Sequence, residues 1–216
     1  GNHIQIKGGI SYLAFLIPGL VMMSCLNNAF QNSSSSIVNA KFTGELEDLR
    51  VAPLSYNQLI WAYSLGGLVR GFVVGLVTLI IGELFYYFMN NQFLHIVHPV
   101  WLLLFITMGG LAFAQMGMAV AFWARTFDQL SAIGSFVLLP LLYLGGVFFS
   151  IDGLHPFWQK LASFNPLLYM INGVRYGVLG VSDVAVGTAF LVSLVFLGVM
   201  FTLAWVSLKT ASFQRW

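Results

Sequence analysis

Residues 59–88 read LIWAYSLGGLVRGFVVGLVTLIIGELFYYF, and Arg70 and Glu83 are the charges within that run. About 20 mostly apolar residues suffice to cross a bilayer as a helix, so the stretch is longer than a span requires. A strand of a membrane barrel would be shorter and would alternate in polarity. Residues 59–88 therefore read as a membrane-crossing helix.

The rest of the chain extends this reading. Of its 216 residues, 7% are charged and 59% hydrophobic, and the mean hydropathy is +0.87. A soluble domain carries roughly a quarter charged residues to hydrate its surface, so most of this surface must face something other than water. Further apolar runs at 12–39, 100–123, 130–149 and 184–208 bring the expected spans to five, in an all-α polytopic bundle. Trp101 and Trp123 lie about 33 Å apart at helical rise, matching two interfacial aromatic belts. Lys41, Arg50, Arg125, Lys209 and Arg215 fall on one side, and Lys7, Lys160 and Arg175 on the other. The basic excess assigns the first side to the cytoplasm. Gly1 is then outside, and at least one further span is expected before it. Cys25 is the single cysteine, so no disulfide forms within the chain. A net charge of +2 with scattered basic residues gives no reason to expect nucleic acid.

Residues 42–50, FTGELEDLR, form the densest charge cluster. Phe42, Leu46 and Leu49 recur at i, i+4 and i+7, one face of a helix. Glu45, Glu47 and Asp48 precede Arg50, the order a helix dipole favours, and Pro53 limits continuation. Residues 42–52 read as a short amphipathic helix on the cytoplasmic surface, either a plain connector or a docking element. The second half of the first span carries Asn27, Asn28, Gln31, Asn32, four serines at 33–36 and Asn39. Such groups are unfavourable against lipid tails. Asn28, Asn32 and Ser35 are expected at a subunit interface or substrate path, with simple protrusion from the bilayer as the alternative. Gly67, Gly71 and Gly75 let another helix approach closely. Arg70, beside that row, is either a functional intramembrane charge or a snorkelling one. Pro140 should kink the fourth span, and with Asn28, Asn32, Ser35 and Arg70 it is a candidate residue of the substrate path or subunit interface.

Residues 150–180 are not an ordinary loop. Leu154, Phe157, Trp158, Leu161 and Phe164 recur at helical spacing. Asn165-Pro166 then places an N-cap before a first-turn proline, and Leu167, Met170, Ile171, Val174 and Val178 form a second apolar face. Each half is too short to span yet too apolar for water. A re-entrant hairpin in the outer leaflet is expected, packed on the outer ends of the fourth and fifth spans. Trp158, Asn165, Pro166 and Arg175 are its candidate gate residues, with Arg175 facing an anionic head group or serving as a plain interfacial residue. No phosphate-binding loop is present, so the chain is not expected to bind ATP directly. His95 and His98 lack neighbouring cysteine or carboxylate ligands, so no metal is expected. No catalytic constellation lies within the spans, so no enzymatic activity or bound cofactor is expected.

Several stretches resemble the permease subunit of type-2 ABC export systems (ABC-2), in the bacterial branch of nodulation-factor, lipo-oligosaccharide and drug exporters. They are FLIPGL at 15–20 with Met22-Met23, Ala40-Lys41-Phe42 with Glu45 and Val51-Ala52-Pro53, Gly66-Gly67 with Arg70-Gly71, and RTFD at 125–128. The most specific block runs from Pro140 to Phe149 and on through Pro156-Phe157-Trp158, Asn165-Pro166, Tyr169-Met170 and Arg175-Tyr176-Gly177 to Gly180. The resemblance implies a subunit of the bacterial inner (plasma) membrane with six spans, the first of which is missing from this sequence. It implies a second permease subunit, as a homodimer, surrounded by membrane lipid, and a separate cytoplasmic ABC ATPase subunit that supplies ATP hydrolysis. It makes residues 42–50 resemble a coupling helix and 150–180 the outer re-entrant helices. The implied activity is outward movement of an amphipathic, lipid-linked or drug-like substrate. An ion-coupled secondary transporter is the alternative, followed by an intramembrane enzyme.

Overall fold

A bilayer interior offers no water to a free backbone group, so a chain this apolar must close its hydrogen bonds within each segment or within a closed barrel. The computed structural model, which describes residues 5–6, 10–124, 126–153 and 155–210, takes the helical solution. Gly1, Lys7, Arg125, Leu154 and Arg215 lie outside the described residues. A two-residue antiparallel ladder, β1 (Gln5–Ile6) with β2 (Ile10–Ser11), precedes the helices. They are α1 (Tyr12–Thr43), α2 (Glu45–Val51), α3 (Tyr56–Asn90), α4 (Pro99–Trp123), α5 (Phe127–Ile133), α6 (Leu139–Leu144), α7 (Pro156–Ser163), α8 (Pro166–Leu179) and α9 (Val186–Thr210). A π-helical turn, Gly134–Leu138, joins α5 to α6. Among the described residues, α1, α3, α4, the composite α5–α6 and α9 are long and apolar enough to cross a membrane. The protein is an all-α polytopic bundle with the five spans expected.

Local chemistry sets the ends. Ser11 caps α1 by accepting from the Ala14 N–H. Ser55 and Gln58 form a reciprocal capping box at the start of α3. Thr126 caps α5, with Asp128 in its first turn. The first span runs past residue 39 to Thr43, because only there does Gly44, at φ 83°, offer a left-handed stop. The fourth stops at Leu144 rather than 149, where Gly145 and then Gly146 at φ 79° turn the chain. Ahead of Pro140 the helix widens: the Leu139 N–H reaches back to the Gly134 carbonyl. The disturbance expected of Pro140 thus takes the form of a π turn just before it.

α1 is the buried centre, packed between α3 and α4. The glycine row makes the α1–α3 approach possible. A Cβ at Gly71 would lie 2.6 Å from the Cys25 carbonyl oxygen, and one at Gly67 would lie 2.5 Å from Ser33 Oγ. The main core gathers Met22, Leu26 and Phe30 of α1, Phe105 and Phe113 of α4, and Met170 and Ile171 of α8. A second cluster, with Ile37, Ile60, Met118 and Leu208, closes the end at which α2 lies. The outward sides of α3 and α9 expose rows such as Val69, Val73, Leu76 and Ile80, or Leu191, Val195 and Val199. Lipid tails accept such surfaces without penalty.

The hairpin α7–α8 meets the fifth span as expected and departs from expectation at the fourth. α8 lies chiefly on α4, α9 and α1, with only slight contact to α6 of the fourth span. The cause is again glycine. A Cβ at Gly177 would stand 2.7 Å from the Leu102 backbone nitrogen, and one at Gly173 would run into the Phe105 ring. The backbone Val97 and His98 N–H groups then donate to the Val178 and Gly177 carbonyls.

Candidate functional site

A cleft of about 400 Å³ opens between α1, α3 and the fourth span. Asn27, Phe30, Gln31, Ser34 and Ser35 of α1 form one wall and Arg70 of α3 another. Phe127, Leu130, Ser131, Gly134, Ser135 and Leu139 close it along α5, the π turn and α6. Its depth follows from packing. A Cβ at Gly67, one turn before Arg70, would meet Ala114, and Ala114 lies about 14 Å along α4 from the belt residue Trp123. The Arg70 side chain therefore starts well inside the bilayer, and it is exposed. Its Nη1 donates to Asn32 Oδ1 at 3.5 Å. Gln31 Nε2 donates to Asn27 Oδ1 at 3.2 Å. The hydroxyls of Ser34 and Ser35 donate back to the Gln31 and Asn32 carbonyls of their own helix.

The candidate path residues separate here. Ser35 and Arg70 line the cleft, and Asn32 holds Arg70. Asn28 does not line it; its amide donates to the Ser24 carbonyl one turn back. Pro140 is exposed next to the lining Leu139. Ser33 faces the other way and ties α1 to α3 by donating to the Tyr63 carbonyl.

At the end carrying α2, the single amphipathic helix read over residues 42–50 is corrected. Phe42 belongs to the last turn of α1, and left-handed Gly44 separates it from α2. Phe42 therefore cannot share a helical face with Leu46. It stacks on Phe127 of α5 with ring centroids 5.6 Å apart. On α2, Leu46 is buried while Glu45 and Asp48 are exposed. The side chains of Glu47, Leu49 and Arg50 lie outside the described residues. Lys41 plays a part that counting charges for topology had missed. Its Nζ donates to the carbonyls of Ala121, Phe122 and Ala124 at 2.7, 2.9 and 3.1 Å. These include the orphan acceptors of the α4 C-terminus, where a cation is also favoured by the helix dipole. No sequence signal within reach of Lys41 marks that partnership, because the partners are some 80 residues away.

At the end opposite α2, Arg175 is also corrected. It does not face head groups: it is 1% exposed. Its guanidinium lies 3.7 Å from the Phe15 ring centroid. Nη2 donates to the Gly146 carbonyl at 2.8 Å, and Nη1 donates to Asn172 Oδ1 at 3.4 Å and lies 3.8 Å from Asp183 Oδ2. Burial lowers the Arg175 pKa to about 10 and Asp183 opposes the shift, so the group stays charged at neutral pH. Asp183 also accepts from the Ser150 hydroxyl and the Ile151 N–H, and its own N–H donates to Asn172 Oδ1. Asn165 caps α8 through the Leu167 N–H, while its amide donates to the Leu141 carbonyl. Pro166 opens α8 as its first residue. Trp158 is exposed beside a small apolar recess it shares with Leu144, Phe149 and Ala162.

The inner membrane transport permease YadH of Escherichia coli strain K12 is 40% identical over 205 residues, covering 95% of this chain and 78% of YadH. Nodulation protein J of Neorhizobium galegae is 29% identical over 179 residues, 80% of this chain and 64% of that protein. Nodulation protein J of Rhizobium meliloti strain 1021 is 25% identical over 193 residues, 87% and 70% of the two chains. The ABC-2 type transporter family model matches residues 3–179, and the chain belongs to that family as a permease.

Proposed function

We propose that this permease is the membrane subunit of an ATP-driven exporter of the bacterial inner membrane, moving an amphipathic substrate outward. The observation that carries the reading is the cleft: polar groups of α1 and Arg70 open sideways at a depth where lipid would penalise them. Gln31, Arg70, Ser131 and Ser135 are exposed there, which favours a second copy of the chain completing the wall. α2 is the docking element for a separate ABC ATPase, with Glu45 and Asp48 presented to it. Phe42 on Phe127 and Lys41 on the end of α4 tie the last turn of α1, which runs into α2 through Gly44, to two further elements, and α5 lines the cleft. Movement at α2 thereby reaches the cleft, and the two ATPase states bias which side is open. The cap, residues 150–180, controls the outer exit, with Trp158 at its surface and Asn165, Pro166 and Arg175 holding its shape.

Affinity purification of the full-length protein from its native membrane tests the reading. The wild type should bring down an ABC ATPase identifiable by mass spectrometry. The double reversal Glu45→Lys and Asp48→Lys should lose it while membrane insertion is unchanged, since both side chains are exposed. An ATPase retained after both reversals overturns the docking assignment. Transport that persists with no ATPase present favours an ion-coupled carrier instead.

A further inference from the structure

The cleft has a charge pattern that selects among amphiphiles. Arg70 is its one cation among the described lining residues, and no carboxylate lines it. The acid that shares α3, Glu83, lies about 20 Å further along the helix and already accepts from the Leu94 N–H. Asp128 neighbours the lining Phe127 but does not line the cleft. Among the described residues the hydrogen-bonding partner of Arg70 is the neutral Asn32, at 3.5 Å. A cation at bilayer depth calls for a counter-charge, and the planar guanidinium fits a two-oxygen anion through paired N–H donors.

The neutral lining points the same way. Gln31 gives one N–H to Asn27, which leaves the Asn27 amide N–H groups unclaimed among the described residues. The hydroxyls of Ser131 and Ser135 are likewise without a described partner. These are donors placed around a single positive charge. Phe30, Phe127, Leu130 and Leu139 supply the apolar remainder of the wall. A cationic amphiphile would meet Arg70 with repulsion, and a wholly neutral one would leave it without a counter-ion.

We propose that the cleft takes an amphiphile with an oxyanion head group, and that Arg70 is the residue that selects for its charge. The inference rests on the cleft being the substrate path. The test uses the full-length protein with its ATPase subunit in nanodiscs of phosphatidylcholine, titrated with dodecyl phosphate, dodecyl maltoside and inorganic phosphate. The wild type should prefer dodecyl phosphate to dodecyl maltoside by about tenfold to a hundredfold, the span of a charge-assisted pair. Arg70→Gln should abolish that preference and Arg70→Lys should retain most of it. Leu139→Trp, which fills the cleft, should weaken both amphiphiles. If Leu139→Trp weakens neither, the cleft is not the path and the functional reading fails with it. If Leu139→Trp weakens both but Arg70→Gln leaves the preference intact, the cleft stands and the role of Arg70 is overturned. Inorganic phosphate that competes as well as dodecyl phosphate would mark a free-anion site and overturn the amphiphile assignment.

Discussion

Two cations at opposite ends of the molecule show how a charge is tolerated in this bundle. Lys41 sits on the carbonyls that end α4, where acceptors are left over by helix geometry. Arg175 has a harder task, because it is buried and its Nε finds no partner among the described residues. It is balanced by Asp183, by the Gly146 carbonyl and by the face of Phe15. Those contacts join α8 to the ends of the first and fourth spans and to the loop before α9. Arg175→Ala is expected to destabilise the protein by about 3 kcal/mol, since it strands the Gly146 carbonyl and takes the counter-ion from Asp183. Arg175→Lys should recover only part of this, because an ammonium cannot lie flat on the ring while reaching both acceptors. Unfolding by denaturing detergent measures both. An Arg175→Ala variant of wild-type stability but lost export would return the residue to a gating role.

Among elements, the α1–α3 contact is a seam of close backbone approach. Val21, Cys25, Ala29 and Ser33 of α1 meet Gly75, Gly71 and Gly67 of α3 in antiparallel order. Without side chains on α3, the two backbones approach until dispersion contacts replace those with lipid. Gly71→Ala puts a methyl against a backbone carbonyl and should cost about 1–3 kcal/mol as overpacking. Gly66→Ala is the control, since its Cβ would find only Asn32 Nδ2, at 3.7 Å. Thermal inactivation of the solubilised protein should separate the two variants, and equal behaviour would mean that the seam is looser than described. The fourth span is built in the opposite way. Its π turn and short flanking helices pack lightly on α1, which suits an element whose movement would change the width of the cleft.

On the scale of the whole molecule, an odd number of described crossings puts the ends of the bundle on opposite faces. Tyr56 of α3 meets Trp205 of α9 edge-on, at the same end as the Lys41 and Phe42 contacts. The opposite end is tied by the Tyr12 hydroxyl donating to the Phe148 carbonyl and by Ser150 on Asp183. Single cysteines in a Cys25→Ala background of the full-length protein check this topology. Asp48→Cys and Thr210→Cys should react with an impermeant thiol reagent only from the cytoplasmic side, and Asn91→Cys and Lys160→Cys only from outside. Thr210→Cys labelled from outside would turn α7–α8 into a true crossing and dismantle the re-entrant cap.

Hydropathy and helix-end chemistry alone determined the five spans, their alternation and the short hairpin between the last two. These are local properties, because a membrane helix satisfies its own backbone and its length is set by bilayer thickness. The helix start at Asn165-Pro166 was legible by the same logic. Local reading also located the polar half of the first span, but not which of its residues share a cavity. Asn28 and Ser35 look alike in sequence, and only the azimuth of α1 against the fourth span separates them. Phe42 and Leu46 have helical spacing, yet Gly44 breaks the helix between them. Arg175 looks interfacial from its neighbours, and it is buried because Phe15 of α1, the Gly146 carbonyl and Asp183 close over it. Tertiary structure decided each of these. Partner carbonyls, facing rings and counter-ions come from segments tens of residues away, and a side chain's surroundings depend on that packing rather than on its own stretch of chain.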